Sequence, residues 1–272
     1  MKPAPFDYAR PDTLDELLDV LTEHGDDARI IAGGQSLMPM LNRRLVRPEL
    51  LVDIAGIGEL QGIFNVNGSV EIGATTTQGT LEEWAGLPGD LPVVAQAVPH
   101  IGHFQTRNRG TVCGSICHAD PSSELPLCLA LLDGEVELQS ARGMRRVAAG
   151  EFQLGVLTTA KEADEVATRA ILPKALPGDG YSFAEFHHRH GDFAVVAVAA
   201  MRRGSAIRLA VGGVGDRPEV REWPDLETDQ IDDALNDFAW DLGGSDDIHA
   251  TAQYRRELVR HLGRQVIEGA AR

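Results

Sequence analysis

Two glycine-rich segments of the sequence have the residue types that phosphate binding requires. The first, Gly33-Gly34-Gln35-Ser36, follows a short apolar run and precedes a segment with the apolar spacing of a helix. Glycine allows backbone N–H groups to approach a ligand closely, and a helix start adds partial positive charge. Neither GxGxxG nor GxxxxGK[ST] is present, so anion binding and a plain tight turn are about equally favoured by these residues alone.

The second segment, Arg109 to Ser115 (RGTVCGS), also offers backbone and hydroxyl donors. A helix is expected to begin near Leu125, downstream of this segment. A molecule with two phosphates and a long reach, such as a dinucleotide, would fit between two such loops. A pair of purely structural loops is the alternative.

Other chemistries find weaker support. Cys113 and Cys117 stand four residues apart, but a [2Fe–2S] cluster needs four thiolates or a histidine substitute, and only Cys128 remains. His187, His188 and His190 are close in sequence, yet adjacent loop residues do not converge on one ion. We therefore expect no metal site in this chain.

A serine hydrolase is also disfavoured, because neither Ser36 nor Ser115 lies in a GxSxG pattern. The simpler interpretation of both serines is a diphosphate ligand or a helix cap. No residue is therefore assigned a catalytic role as acid, base or nucleophile.

The elements that position these segments are predicted from periodicity and turn residues. Thr13 and Glu16 have capping-box spacing ahead of a leucine stripe, which predicts a helix over 13–24. The further predicted helices lie near 37–45, 80–83, 91–98, 125–132 and 249–268. The predicted strands lie at 29–32, 50–54, 70–74, 135–139, 144–147, 165–172, 194–201 and 206–211.

The stretch from Gly102 to Glu124 has no period and is predicted to be a long loop. A Pro/Gly-rich boundary runs from Leu172 to Gly180. These features divide the chain into predicted segments 1–56, 57–175 and 176–272.

Composition excludes several classes of protein. With 25 Lys and Arg against 41 Asp and Glu, the net charge of −16 disfavours nucleic acid and anionic membranes as partners. Three cysteines in 272 residues exclude a disulfide scaffold. No apolar run approaches the roughly 20 residues of a membrane span, and the N-terminus lacks the pattern of an export signal. A cytoplasmic location is expected.

Four ordered blocks make the chain resemble a known family. They are AGGQSLMPMLNRRLVRPELLVDI, RNRGTVCGSICHADPSSELP, FHHRHGDFAVVAVA and LAVGGVGDRP. In order and spacing they are similar to the FAD-binding (medium) subunit of the molybdenum hydroxylases, the xanthine dehydrogenase and carbon monoxide dehydrogenase group. The resemblance covers nearly the whole chain and implies a vanillyl-alcohol-oxidase-like FAD fold.

The fold implied by the resemblance is α+β, with two α/β subdomains clasping FAD and a C-terminal three-stranded antiparallel sheet with helices. By resemblance, the FAD diphosphate is held by Ile30, Ile31, Ala32, Gly33, Gly34, Gln35, Ser36, Leu37, Thr111, Cys113, Gly114 and Ser115. Ile101 is similar to the family's apolar residue near the isoalloxazine, and Glu124 to its acidic residue on the ribose side. His187 and Phe193 match the block beside the flavin ring.

The resemblance also implies partners. A large molybdopterin subunit and a small [2Fe–2S] subunit are expected, in a dimer of heterotrimers. Molybdopterin and the [2Fe–2S] clusters are then expected only on these partner subunits, and FAD on this chain. Electrons are expected to pass from the clusters through FAD to NAD or a quinone. Substrate oxidation then belongs to another subunit.

One departure from the family concerns Cys113, which stands where the family usually has the first of two glycines. If that position needs a positive φ, a side chain there costs on the order of 1 kcal/mol and narrows the pocket. At a negative φ the cost disappears. Two alternatives stay open: a free-standing FAD oxidoreductase with the same fold, and a structural subunit that has lost FAD, for which Cys113 would be the marker.

Overall fold

The computed structural model describes residues 2–271, which form three larger sheets and one short strand pair. Each larger sheet lies within one of the three predicted segments. The mixed helix and strand content confirms the predicted α+β class.

The first unit is a parallel three-stranded sheet in the order β1-β3-β2, with helices between its strands. Its elements are β1 (Asp7–Ala9), α1 (Leu14–His24), β2 (Ala28–Ile31), α2 (Leu37–Asn42) and β3 (Leu50–Asp53). The predicted helix over 13–24 is confirmed: the Thr13 hydroxyl accepts from the Glu16 N–H at 3.2 Å and Gly25 ends the helix. Its leucine stripe is buried in the core.

The second unit is built on an antiparallel sheet in the order β4-β5-β10-β6-β7. Its strands are β4 (Ile63–Val66), β5 (Ser69–Gly73), β6 (Glu135–Ser140), β7 (Gly143–Ala148), β8 (Gln153–Gly155), β9 (Thr158–Thr159) and β10 (Val166–Pro173), of which β8 and β9 form the separate pair. Its helices are α3 (Gln78–Glu82), α4 (Leu87–Asp90), α5 (Pro92–Ala97), α6 (Phe104–Arg107), α7 (Val112–His118), α8 (Glu124–Leu131) and α9 (Ala149–Phe152).

The predicted loop from Gly102 to Glu124 is wrong in detail, because α6 and α7 lie within it. Both helices are too short to show a hydrophobic period, so sequence patterning does not reveal them. The helix predicted from Leu125 is confirmed as α8. All eight of its residues are buried, because it packs between the second unit and the C-terminal sheet.

The C-terminal unit has a four-stranded antiparallel sheet, where three strands were expected. Its elements are β11 (Gly180–Phe186), β12 (Val196–Arg203), β13 (Ala206–Gly212), β14 (Glu219–Trp223), α10 (Ile231–Asp241) and α11 (Ala252–Gly269). The residues predict β12 and β13 but neither β11 nor β14. The edge strand β14 has several charged side chains, so it lacks the apolar run that predicts β12 and β13.

The terminal helix α11 packs on β11 and β12 and against α10. Leu258, Leu262 and Val266 are buried, as the predicted apolar stripe requires, whereas Tyr254 at its start is exposed. Between residues 2 and 271, no helix combines the length and the apolar character needed to cross a bilayer.

Candidate functional site

A cleft of about 750 Å³ runs between the first two units and reaches the loop before β12. Its volume falls in the range of about 300–1,000 Å³ typical of small-molecule and cofactor sites. Both glycine-rich segments line it. The two segments are far apart in sequence, and the fold brings them together at one cleft. The residue types alone only suggest such a pairing.

The two loops touch at Gly33. A Cβ atom built there would collide with the carbonyl oxygen of Arg109 and would lie 2.7 Å from the Gly110 Cα. Only a residue without a side chain allows this approach. Gly34 has a φ of +70°, a conformation that L side chains rarely adopt. Gly33 therefore permits the contact between the two loops, and Gly34 permits the tight turn.

The first loop presents backbone donors that the rest of the protein leaves free. Among residues 2–271, no backbone or side-chain acceptor pairs with the N–H groups of Gly33, Gly34, Gln35 and Ser36. The Gln35 side chain instead donates to the Gly33 carbonyl at 3.0 Å. Four adjacent unpaired N–H groups beside a cleft are the donor set that an anionic oxygen cluster requires.

The second loop is held rigidly by its neighbours. The Thr111 hydroxyl accepts from the Gly114 N–H at 3.0 Å and caps α7. The Val112 N–H donates to the Thr76 carbonyl at 3.1 Å, and the Gln78 N–H donates to the Gly110 carbonyl at 2.8 Å. The loop is thus fixed to the segment at the start of α3 by two backbone hydrogen bonds.

Gln78 is a site residue that sequence reasoning missed. It is buried, it lines the cleft, and its side-chain oxygen has no hydrogen-bond partner among the described residues. Its position next to the capping residue Thr77 was the available signal. The capped helix was instead predicted to start three residues later, at Thr80.

Cys113 has an ordinary helical backbone at the start of α7 and is not among the residues with positive φ. It is only 3% exposed, and its thiol donates to the Ile72 carbonyl at 3.5 Å. The strain considered for this position is therefore absent. Burial raises the pKa of the Cys113 thiol far above its ordinary value, so the group stays neutral.

Charge along the cleft departs from the acidic balance of the whole chain. Arg29, Arg47 and Lys161 line it together with acidic residues. Burial lowers the pKa of Lys161. Burial, with a smaller contribution from the charge of Glu185, raises the pKa of Glu124 to about 8, so Glu124 is largely neutral near pH 7. The cleft therefore carries cationic groups that an anion can use.

The structure places fifteen of the sixteen predicted cofactor residues along the cleft. They are Ile30, Ile31, Ala32, Gly33, Gly34, Gln35, Ser36, Leu37, Ile101, Thr111, Cys113, Gly114, Ser115, Glu124 and Phe193. His187 does not line the cleft, because its ring lies against Glu185, with His187 Nε2 3.6 Å from the carboxylate.

A second group of side chains lies outside the cleft lining and was missed by sequence reasoning. His100, Glu185 and His187 place one ligand-type atom each within 4.8 Å of one another. His100 follows α5 and Glu185 is on β11, so 85 residues of chain separate them. Without the fold, no spacing rule connects these positions.

The fold and the cleft together define a cofactor-binding subunit, and comparison with known proteins identifies its family. Residues 4–175 match the family described as the FAD binding domain in molybdopterin dehydrogenase. The chain therefore belongs to the FAD-binding medium subunits of the molybdenum hydroxylases, as the sequence blocks predicted. It is the flavin subunit of an oxidoreductase.

Individual relatives span the full chain. The nicotine 6-hydroxylase medium subunit of Paenarthrobacter nicotinovorans is 36% identical, with 100% of both chains covered. The carbon monoxide dehydrogenase medium chain of Afipia carboxidovorans is 32% identical, over 99% of this chain and 98% of the relative.

Solved structures agree with this assignment. A chain of the carbon monoxide dehydrogenase of Hydrogenophaga pseudoflava superposes with a TM-score of 0.94 at 28% identity, covering 100% of this chain and 99% of that one. A chain of quinoline 2-oxidoreductase from Pseudomonas putida 86 gives a TM-score of 0.91 at 34% identity, covering 100% and 98%.

Proposed function

We propose that the cleft holds FAD, with the diphosphate between the two glycine-rich loops, and that the subunit carries electrons through this flavin. The observation that carries the proposal is the contact of Gly33 with Arg109 and Gly110, beside four unpaired N–H groups. A diphosphate has the charge and the oxygen count to accept these donors. The cationic groups in the cleft support the same ligand.

The remaining parts of FAD are assigned from the cleft lining. Ile101 and Phe193 both line the cleft, and their apolar side chains suit the isoalloxazine ring. Phe193 is exposed, so its ring is free to cover a flat ligand. Glu124 is assigned to the ribose side, where a largely neutral carboxyl can both donate and accept a hydrogen bond.

When bound, FAD supplies the chemistry: it takes up electrons one at a time and delivers a pair. The chain's own residues bind the cofactor, orient it and shield it. The proposed route runs from [2Fe–2S] clusters on a partner subunit to this flavin and on to NAD or a quinone.

The proposed partners are a large molybdopterin subunit and a small [2Fe–2S] subunit, in a dimer of heterotrimers. Several relatives are themselves called medium subunits or medium chains. A related carbon monoxide dehydrogenase structure is described as that of a Cu,Mo enzyme. The three cysteines of this chain are unpaired, which suits the reducing cytoplasm where we place the complex.

The domain limits 1–56, 57–175 and 176–272 are part of the proposal. They are supported by the sheets, since the strands of each larger sheet come from within one of these segments. The cleft then lies between the first two domains, and the third contributes the loop that carries Phe193.

Cofactor content gives the first test. The purified full chain is expected to show flavin absorption bands at about 370 and 450 nm and to release FAD on heating. A colourless chain that also fails to take up added FAD would contradict the proposal.

The electron route is tested in the assembled complex, by comparing it with a complex reassembled around FAD-free subunit. The FAD-free complex is expected to lose reduction of NAD or quinone while its clusters are still reduced by substrate. Unchanged acceptor reduction without FAD would show that electrons leave by another path.

A further inference from the structure

Glu185 on β11 is a buried carboxylate with histidines on two sides. Its side chain is 0% exposed. Its Oε1 lies 3.2 Å from His100 Nδ1 and 3.6 Å from His187 Nε2. The three side chains come from two units of the fold, since His100 follows α5 and the other two belong to the C-terminal sheet and the loop after it.

The polar atoms of this cluster are not satisfied by the protein. Neither carboxylate oxygen of Glu185 has a hydrogen-bond partner in the described chain, and the same holds for the Nδ1 atoms of His100 and His187. Buried carboxylates are normally hydrogen-bonded or paired with a cation, because water no longer solvates their charge. Glu185 Oε1 thus faces only the two histidines, and Glu185 Oε2 has no partner among the described residues.

No arginine or lysine supplies the missing charge. Across residues 2–271, the ion pairs of Glu185 are made with the two histidines alone. Glu124 is a second buried carboxyl, close enough to respond to the charge of Glu185. Because burial keeps Glu124 largely neutral, the negative charge here is that of Glu185, and without a fixed cation beside it this charge favours the binding of a small positive ion.

We propose that His100, Glu185 and His187 bind a divalent transition-metal ion of the zinc type. Zinc binds histidine nitrogen and carboxylate oxygen at about 2.0–2.2 Å, so neighbouring ligand atoms of a tetrahedral site are about 3.3 Å apart. The distances of 3.2 and 3.6 Å between the ligand atoms match this spacing. Three protein ligands leave a fourth position for water.

Access to the site is available through His100, whose side chain is 36% exposed. Imidazole and carboxylate together suit zinc better than the oxygen-preferring Mg²⁺ or Ca²⁺. Residue spacing does not reveal this site, and the expectation from the sequence is that no metal is bound.

The proposed ion would link the turn after α5 to strand β11. His187 begins the loop that leads to Phe193, and this loop lines the FAD cleft. The metal is therefore expected to fix the loop in place without contacting the cofactor. The metal proposal does not depend on FAD binding, because the three ligands lie outside the cleft lining.

The test measures zinc binding to the full chain by isothermal titration calorimetry, after dialysis against a chelator. Wild type is expected to bind one equivalent of Zn²⁺, and Co²⁺ is expected to give the intense visible bands of a tetrahedral site. Glu185→Gln and His187→Ala are each expected to weaken zinc binding at least about tenfold. His188→Ala is the matched control, because the neighbouring His188 is not among the clustered ligands.

Each result decides the proposal. Absence of stoichiometric zinc binding by the wild type would overturn it, as would a Glu185→Gln affinity equal to that of the wild type. If a variant fails to fold, the wild type alone still decides: its melting temperature should rise with Zn²⁺ and return after chelation. FAD content, measured on the same samples, reports separately on the proposed function.

Discussion

Substituting Gly33 by alanine places a methyl group between the two loops of the cleft. The new Cβ would lie 2.7 Å from the Gly110 Cα and closer still to the Arg109 carbonyl, whereas ordinary contact begins at 3.4 Å. Both neighbours are backbone atoms, so neither can rotate away. The loops must separate to accept the methyl group.

The size of the effect follows from this overlap. Forcing an extra methyl into a close-packed contact costs about 1–3 kcal/mol. The FAD-free protein can relax by opening the cleft, but the bound state must hold both loops on one diphosphate. Most of the cost therefore falls on binding, and at 1.4 kcal/mol per factor of ten the Kd for FAD is expected to rise by about 10- to 100-fold.

The assay is an FAD titration of the FAD-free chain, followed by quenching of flavin fluorescence. Gly150→Ala is the matched control, because nothing lies within 4 Å of a Cβ at that position. It should bind FAD like the wild type. A Gly33→Ala variant that folds normally and binds FAD within about twofold of the wild type would refute the two-loop assignment.

Two further predictions concern stability. Cys113→Gly restores the residue usual in the family and is expected to leave FAD affinity unchanged. It is expected to lower the free energy of unfolding, measured by urea denaturation, by about 1–2 kcal/mol, because it removes a buried side chain and loosens α7. Tighter FAD binding by this variant would contradict the prediction. The hydrogen bond from Arg203 to Asp179, at 2.7 Å, is the main cause of the lowered pKa of Asp179. Asp179 is therefore expected to stabilise the fold at pH values above its ordinary pKa of 3.8 and to lose that contribution as the pH falls further. Asp179→Asn should reduce stability at pH 7 by about 1 kcal/mol and weaken its decline between pH 5 and pH 3, and an unchanged pH profile would count against this role.

Sequence reasoning succeeded where local signals were strong. The Thr13 cap with its leucine stripe predicted α1, and the two apolar runs around Gly204 predicted the hairpin of β12 and β13. The residue types also indicate the two glycine-rich segments, because close approach of two backbones requires glycine. These features depend on a few neighbouring residues.

It failed where the structure depends on distant contacts or very short elements. The helices α6 and α7 have four and seven residues, and β14 is a polar edge strand, so none has a readable period. The contact of Gly33 with Gly110 and the group around Glu185 join positions more than 75 residues apart. Such pairings are set by the packing of whole units.

The contact between the two loops also links cofactor retention to quaternary structure. Since the loop at Gly33 and the loop at Thr111 belong to different units, a small rotation of one unit against the other changes how well a diphosphate fits. A partner subunit that presses the two units together would tighten FAD binding, and bound FAD would strengthen that partner's docking by the same factor. Loading of the flavin and assembly of the complex would then be thermodynamically coupled steps.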